Sequence, residues 1–448
     1  MFSCYGYLQF LRKRIKLEFT IALLFAAIGS TMFLAGILNL MWETALLIFL
    51  GGLFLAACSL QKRESPCELI SPGIVFFSIG CIFLLFLLRG NMFSTYDNFS
   101  HWATALKAVY TNNRFPNFSN INIGFQSYPL GSASFIYYIC KIAGIFSEWS
   151  QMYAQAVLMA GMLLSLFAFA ESLEGWLLAG TASVMLLCSN TALYDMCVDT
   201  LLPLTALAGI ALCLYEQDHL RKIGWAAIPF TVFLVSIKNS GILFAIFIAA
   251  FVMIHLSSQF RPLYHPPKNT DGPENTLFTL FSSAYCLIRS ISKFLCRNEA
   301  GCRGEIVEET ADYSEAMGYW KTAAPQFLCP VLTLVLWQKH VKLVFENGMG
   351  TKHSMSLMYW RARFLQKSSE DVHTILSGMG ERIFSLSNPF FYILLLLILV
   401  IVARKYFLRQ NYTEERQTAL IVLVSYIVYQ LGLLGTYLFP CPLTREET

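Results

Sequence analysis

The sequence predicts an all-α polytopic membrane protein with about eleven transmembrane helices. Hydrophobic residues make up 56% of the 448-residue chain and charged residues only 13%, against about 25% charged in soluble domains. Apolar runs of about 17–22 residues recur, each long enough to cross a hydrocarbon core of about 30 Å. The third observation is negative. The alternating pattern of a lipid-facing barrel does not occur, and only helices and closed barrels satisfy every backbone polar group inside a bilayer.

The chain opens on a basic segment containing Arg12, Lys13, Arg14 and Lys16. The apolar run after it has no small-residue cleavage site, which predicts a retained helix instead of a signal peptide. Candidate spans follow at 17–39, 43–60, 69–88, 150–171, 175–190, 198–215, 223–237, 240–257, 322–338, 388–403 and 418–438. The segment 129–146 is also apolar, begins Tyr128-Pro129-Leu130-Gly131 and carries Lys141.

Cytoplasmic loops concentrate Lys and Arg. With the amino terminus inside, Lys62 and Arg63, Arg221 and Lys222, the stretch Arg261 to Lys268, and Arg404, Lys405 and Arg409 all fall inside, provided 129–146 docks without crossing. If that segment crosses, the later clusters flip outward. The resulting organisation is 1–88 (three helices), 89–148 (an external loop with juxtamembrane helices), 149–257 (central helices), 258–321 (a cytoplasmic linker) and 322–448 (C-terminal helices with a basic external loop at 338–388). Within the linker, Phe278 to Leu295 reads as an amphipathic surface helix.

The 13 cysteines are scattered, form no CxxC pair and sit largely in apolar runs, where they act as small hydrophobes. Cys296 and Cys302 are spaced too loosely to specify a metal site or a disulfide. The net charge of +4 suits basic cytoplasmic loops and points to no nucleic acid. There is no HExxH, GxSxG or Walker motif, so zinc proteases, serine hydrolases and P-loop ATPases find no support.

This topology gathers the chemistry-bearing residues at one face. In "TYDNFSHWATALKAVYTNNRFPNF", starting at Thr95, Asp97 and His101 are four apart and would share a helix face, with Trp102 and Lys107 on adjoining turns. Asn98 or Ser100 could cap that helix. A carboxylate at a membrane boundary suits general-base work, and an indole face suits a sugar ring. In "FQSYPLGSASFIYY", Pro129 sets a bend after Tyr128, and Gly131 allows close backbone approach. In "LYDMCVDTLLPL", Asp195 and Asp199 are four apart at the start of a span, either as dipole-favoured caps or as two carboxylates of a metal site. In "VSIKNSGILF", Lys238 at the turn between two spans is a snorkelling cation or a phosphate contact. The external loop near 338–388 carries His340, Lys352 and His353 among an excess of basic residues. That excess breaks the positive-inside bias and suits an anionic ligand at headgroup level.

In this order, "YDNFSHWATALKAVY", "FQSYPLGS", "YDMCVDTLLP", "IKNSG" and "KHSMS" resemble a family of bacterial multi-spanning proteins similar to the GT-C glycosyltransferases, which include protein mannosyltransferases and lipid-A aminoarabinose transferases. The resemblance covers most of the chain after about residue 90. It implies a GT-C-like external loop with juxtamembrane helices in the bacterial plasma membrane. It implies transfer of a sugar from a polyprenyl-phosphate donor to a cell-envelope glycan or glycolipid acceptor, with inversion. It gives Asp97 the role of general base, and His101 is expected as the second catalytic residue. Trp102, Lys107, Tyr128, Asp195 and Asp199 would contact substrate. Lys238, His340, Lys352 and His353 would hold the departing phosphate. Many GT-C members carry paired acids, but here Asn98 follows Asp97, so a divalent metal is possible and not specified. Related sequences continue past the point where this one ends, at "YLFPCPLTREET", so by this resemblance either the protein is a short member or its C-terminus is truncated or frameshifted. The competing reading is a transporter or flippase of lipid-linked saccharides. It predicts charges near the bilayer midplane in matching halves. A polysaccharide polymerase or ligase of another fold is a third.

Overall fold

The structure, a computed structural model, describes residues 2–117, 123, 125–188, 193–258, 313–345, 357–384 and parts of 427–439. Helices dominate, and no strand occurs among the described residues. In chain order the helices are α1 (Phe2–Leu11), α2 (Leu17–Ile37), α3 (Met41–Gln61), α4 (Pro72–Leu88), α5 (Ala103–Asn112), α6 (Gly131–Ala143), α7 (Glu148–Leu163) and α8 (Leu173–Cys188). There follow α9 (Leu201–Tyr215), α10 (Leu220–Ile223), α11 (Ile228–Ile237), α12 (Gly241–Ser258), α13 (Tyr313–Val344), α14 (Leu357–Leu365) and α15 (Ser369–Phe384).

The chain forms two units, residues 1–263 with 312–348, and residues 264–311 with 349–448. In the second, Trp360 and Phe364 lie against Phe439, with ring centroids 6.2 and 5.3 Å apart. There Ser368 caps α15, its hydroxyl accepting from Asp371 N at 3.1 Å while Asp371 accepts from Ser368 N at 2.8 Å.

Among the described residues, five helical stretches are long and apolar enough to cross a membrane: Leu17–Ile37, Met41–Gln61, Glu148–Phe169, Gln217–Ile237 and Gly318–Val344. Shorter apolar helices cover Pro72–Leu88, Leu173–Cys188, Leu201–Tyr215 and Gly241–Leu256. The fold is therefore that of a helical, multi-pass membrane protein. The spans expected at 388–403 and 418–438 and the surface helix expected at 278–295 lie outside the described residues, apart from a few positions in 427–438. The span expected at 322–338 is longer than its apolar run, because α13 stays helical through Lys339, His340 and Lys342.

Local signals explain where the helices start and stop. Ser71 caps α4, its hydroxyl accepting from Ile74 N at 3.3 Å, and Pro72 takes the first helical position. Ser147 and Ser150 close a capping box at α7. Asn113 ends α5 and Gly144 ends α6 in the left-handed conformation.

Helix α2 is the centre of the first unit and is apolar all round. Phe19, Ala22, Met32 and Phe33 on it are fully buried. The outer faces of α4 and α8 instead expose Ile79, Phe83, Phe86, Leu178 and Met185. In water such a surface would drive aggregation, whereas in a bilayer it faces lipid.

The bundle has a basic end. There Lys16 Nζ donates to Ala168 O at 2.6 Å and lies over the Tyr215 ring, while Arg12 pairs with Glu68 and Lys13 with Glu64. At the opposite end Phe93 N, just past α4, donates to Glu148 Oε2 at the start of α7 at 2.6 Å. The chain therefore re-enters the bundle at the end it left, and α6 begins and ends there. Helix α6 is sunk deep at that end. Phe135 meets Phe25 of α2 at 5.1 Å, and the Tyr137 hydroxyl donates to Asn113 Oδ1 at 2.8 Å. Its first residue must be small, because a Cβ on Gly131 would stand 2.2 Å from Ser236 Oγ and 2.6 Å from the Ser236 carbonyl.

Candidate functional site

The segment after Asp97 does not begin as an α-helix. Asn98–Trp102 forms one turn of π-helix before α5, a local form that often accompanies functional sites. The wider turn separates two residues expected to share a face. Asp97 is exposed and has no hydrogen-bond or ion-pair partner among the described residues. His101 is only 1% exposed. Asn98 does not cap. It is fully buried, and its Oδ1 accepts from Met196 N at 2.8 Å.

That bond joins the 97–102 segment to the loop before α9. The loop is not helical, so Asp195 and Asp199 do not share a helix face. Asp195 Oδ1 accepts from Cys197 N two residues on, at 2.9 Å, closing its own turn. Gln155 on α7 holds the same turn through the carbonyls of Asp195 and Cys197, at 2.9 and 3.2 Å. Asp199 instead pairs with Lys238 at 2.5 Å. Burial pulls the Lys238 ammonium down, but the adjacent carboxylate outweighs it and holds it above its ordinary value. Burial likewise pushes the Asp199 carboxyl up, and Lys238 overrides this to hold it low. Burial, then the Asp199 charge, push the Cys197 thiol up to about 12, so at neutral pH it stays protonated and donates to Asp199 Oδ2 at 3.0 Å.

Lys238 Nζ also lies 5.8 Å from the Tyr128 ring centre. Tyr128 in turn meets His101 at 5.6 Å and Trp102 at 6.0 Å. The contacts thus form a closed circuit, from Asn98 through the 195–199 loop to Lys238, Tyr128 and back to His101. Helix α13 joins it through Ser127, whose carbonyl accepts from both Asn239 Nδ2 at 3.3 Å and Trp337 Nε1 at 2.9 Å. His340 stacks on Trp337 at 5.5 Å. Lys107 is exposed on α5 outside the circuit. Lys352 and His353 lie outside the described residues.

Sequence reasoning missed Asn98, Gln155, Ser127, Phe125 and Trp337 as members of this site. Gln155 and Trp337 sit in apolar runs and read as core. Among the described residues no three His, Cys, Asp or Glu side chains gather to hold a metal. At the position of a second acid, Asn98 is committed to Met196, so the residues present do not fit a paired-acid metal centre.

Burial among Trp102, Phe125 and Tyr128 pulls His101 down to about 4 from 6.5. Its folded value lies below its unfolded value, so the unfolded chain binds the extra proton between those limits. Stability should therefore be intact above about pH 6.5 and fall toward pH 4, by an amount on the order of 3 kcal/mol. Thermal unfolding of purified protein between pH 7 and 4.5 measures this. His101→Gln should flatten that limb, and an unchanged acid limb in the variant would rule out His101 as its source.

An apolar groove lined by Phe83, Leu84, Leu87, Leu163, Leu187 and Leu193, with a cavity volume of about 100 Å³, runs between α4, α7 and α8. Leu193 brings it within two residues of Asp195. Compared with protein-family models, with curated proteins and with solved structures, the chain finds no match.

Proposed function

We propose that the chain is a membrane glycosyltransferase that moves a sugar from a polyprenyl-phosphate donor to a cell-envelope acceptor, with Asp97 as general base. The observation that carries this reading is the circuit of contacts beside an exposed carboxylate that has no partner among the described residues. The acceptor hydroxyl would attack the anomeric carbon while Asp97 takes its proton. The bond from that carbon to the phosphate oxygen would break, and the electron pair would leave with the polyprenyl phosphate. The single displacement inverts the anomeric carbon. Lys238 would meet the growing charge on the phosphate, exchanging part of its bond to Asp199 for it. The groove that ends near Asp195 is apolar enough for the first isoprene units. Trp102 and Tyr128 offer ring faces to the sugar. The basic end of the bundle would face the cytoplasm, in a bacterial plasma membrane, with about eleven spans in all.

The test is transfer of labelled sugar from polyprenyl-phosphate donors by purified protein, wild type against Asp97→Asn. Full activity in the variant would remove Asp97 from the chemistry. No transfer by wild type, together with movement of lipid-linked sugar across vesicles, would instead establish the carrier reading.

A further inference from the structure

The buried imidazole of His101 has no hydrogen-bond partner for either ring nitrogen among the described residues. Each such orphan costs about 1–3 kcal/mol unless something fills it. His101 lines a small cleft whose other walls include Phe125, Gln126, Tyr128, Leu130 and Trp337. Phe125 and Tyr128 stack at 5.1 Å, and Phe125 meets the imidazole edge-on at 5.6 Å. The cavity volume of about 10 Å³ holds one water-sized group and no more.

These features narrow the occupant. Among the described residues no Lys, Arg, Asp or Glu lines the cleft, so a charged group would find no partner among them, at high cost. A purely apolar group would leave the imidazole orphaned. What fits is one neutral hydroxyl on a short apolar stem, attached to a body with an apolar face for the aromatic rim. We propose that the cleft takes the hydroxymethyl arm of a hexopyranose. The arm's hydroxyl fills the cavity and bonds to an imidazole nitrogen of His101, while its CH₂ stays at the mouth, against the aromatic rim. His101 is thereby a specificity-determining residue for hexoses, and not an acid or base. This deepens the glycosyltransferase reading and rests on its assignment of a sugar to this end of the bundle.

The test compares binding of glucose, galactose and mannose with their 6-deoxy counterparts, quinovose, D-fucose and D-rhamnose. Tryptophan fluorescence of the full chain in nanodiscs free of sugar detergents reports it, since Trp102 and Trp337 flank the cleft. At least one hexose should bind about tenfold tighter than its 6-deoxy partner, the worth of one hydrogen bond. His101→Phe should erase the difference, and His101→Gln should keep part of it. Equal binding of the pair, or discrimination that survives in His101→Phe, would overturn the proposal. So would the absence of saturable binding up to about 100 mM, which would leave the cleft to a resident water. The wild-type comparison needs no variant to fold. It also stands apart from the transfer assay, since hexose discrimination can survive where transfer fails, and transfer can occur without it.

Discussion

Asp97→Asn is expected to lower the turnover of the proposed transfer by about 10² to 10⁴-fold, the usual contribution of a general base. The substitution suits the test because Asp97 is exposed and makes no hydrogen bond or ion pair among the described residues. Asn has nearly the same shape, so stability should change by less than about 0.5 kcal/mol. The donor should bind as before, because the lost step belongs to the transition state, so kcat should fall and KM should hold. A fall in KM-dependent binding with kcat intact would show instead that Asp97 positions the acceptor. A matching loss of thermal stability would show that Asp97 is structural.

Gly241→Ala is expected to cost about 3–5 kcal/mol and to deplete folded protein in the membrane. A Cβ there would lie 1.9 Å from the carbonyl oxygen of Leu234 and 2.4 Å from its carbonyl carbon. Both obstacles are backbone, and no side-chain rotation can relieve them. Leu234 O also receives Lys238 N at 3.4 Å, in the last turn of α11. Moving it would unwind the turn that presents Lys238 to Asp199 and Asn239 to Ser127. Ser240→Ala is the control, because Ser240 is exposed and should tolerate the change within about 0.5 kcal/mol. Expression level and thermal midpoint in detergent measure both. A Gly241→Ala protein as stable as wild type would show that α11 and α12 can separate at their junction.

The two substitutions mark the border between what was legible and what was not. "IKNSG" stood out as a polar break between two apolar runs, but nothing in its spelling says that Gly241 touches the backbone of Leu234. Asp97 and His101 were legible as unusual residues beside a membrane segment. Their shared face was inferred from α-helical spacing, and the π-turn at Asn98–Trp102 separates them into one exposed and one buried group. Asp195 and Asp199 carried the same four-residue spacing. The loop around them is fixed by its own Asx turn and by Gln155, so one closes a turn and the other pairs with Lys238. Asn98 read only as the absence of a second acid. Its work is a bond to Met196, 98 residues away.

By itself the sequence determined that this is a helical membrane protein with a basic segment before its first long apolar run, and where the first unit's main apolar helices lie. Both follow from local quantities, since hydropathy is summed along a segment and caps act within one turn. Only the tertiary structure decided which polar side chains meet. It sank α6 into one end of the bundle, buried His101 behind Tyr128 and Phe125, and paired Lys238 with Asp199. The physical reason is that a side chain's environment is set by neighbours distant in sequence. At a bundle end, where polar groups must be matched one by one, spacing along the chain carries little of that information.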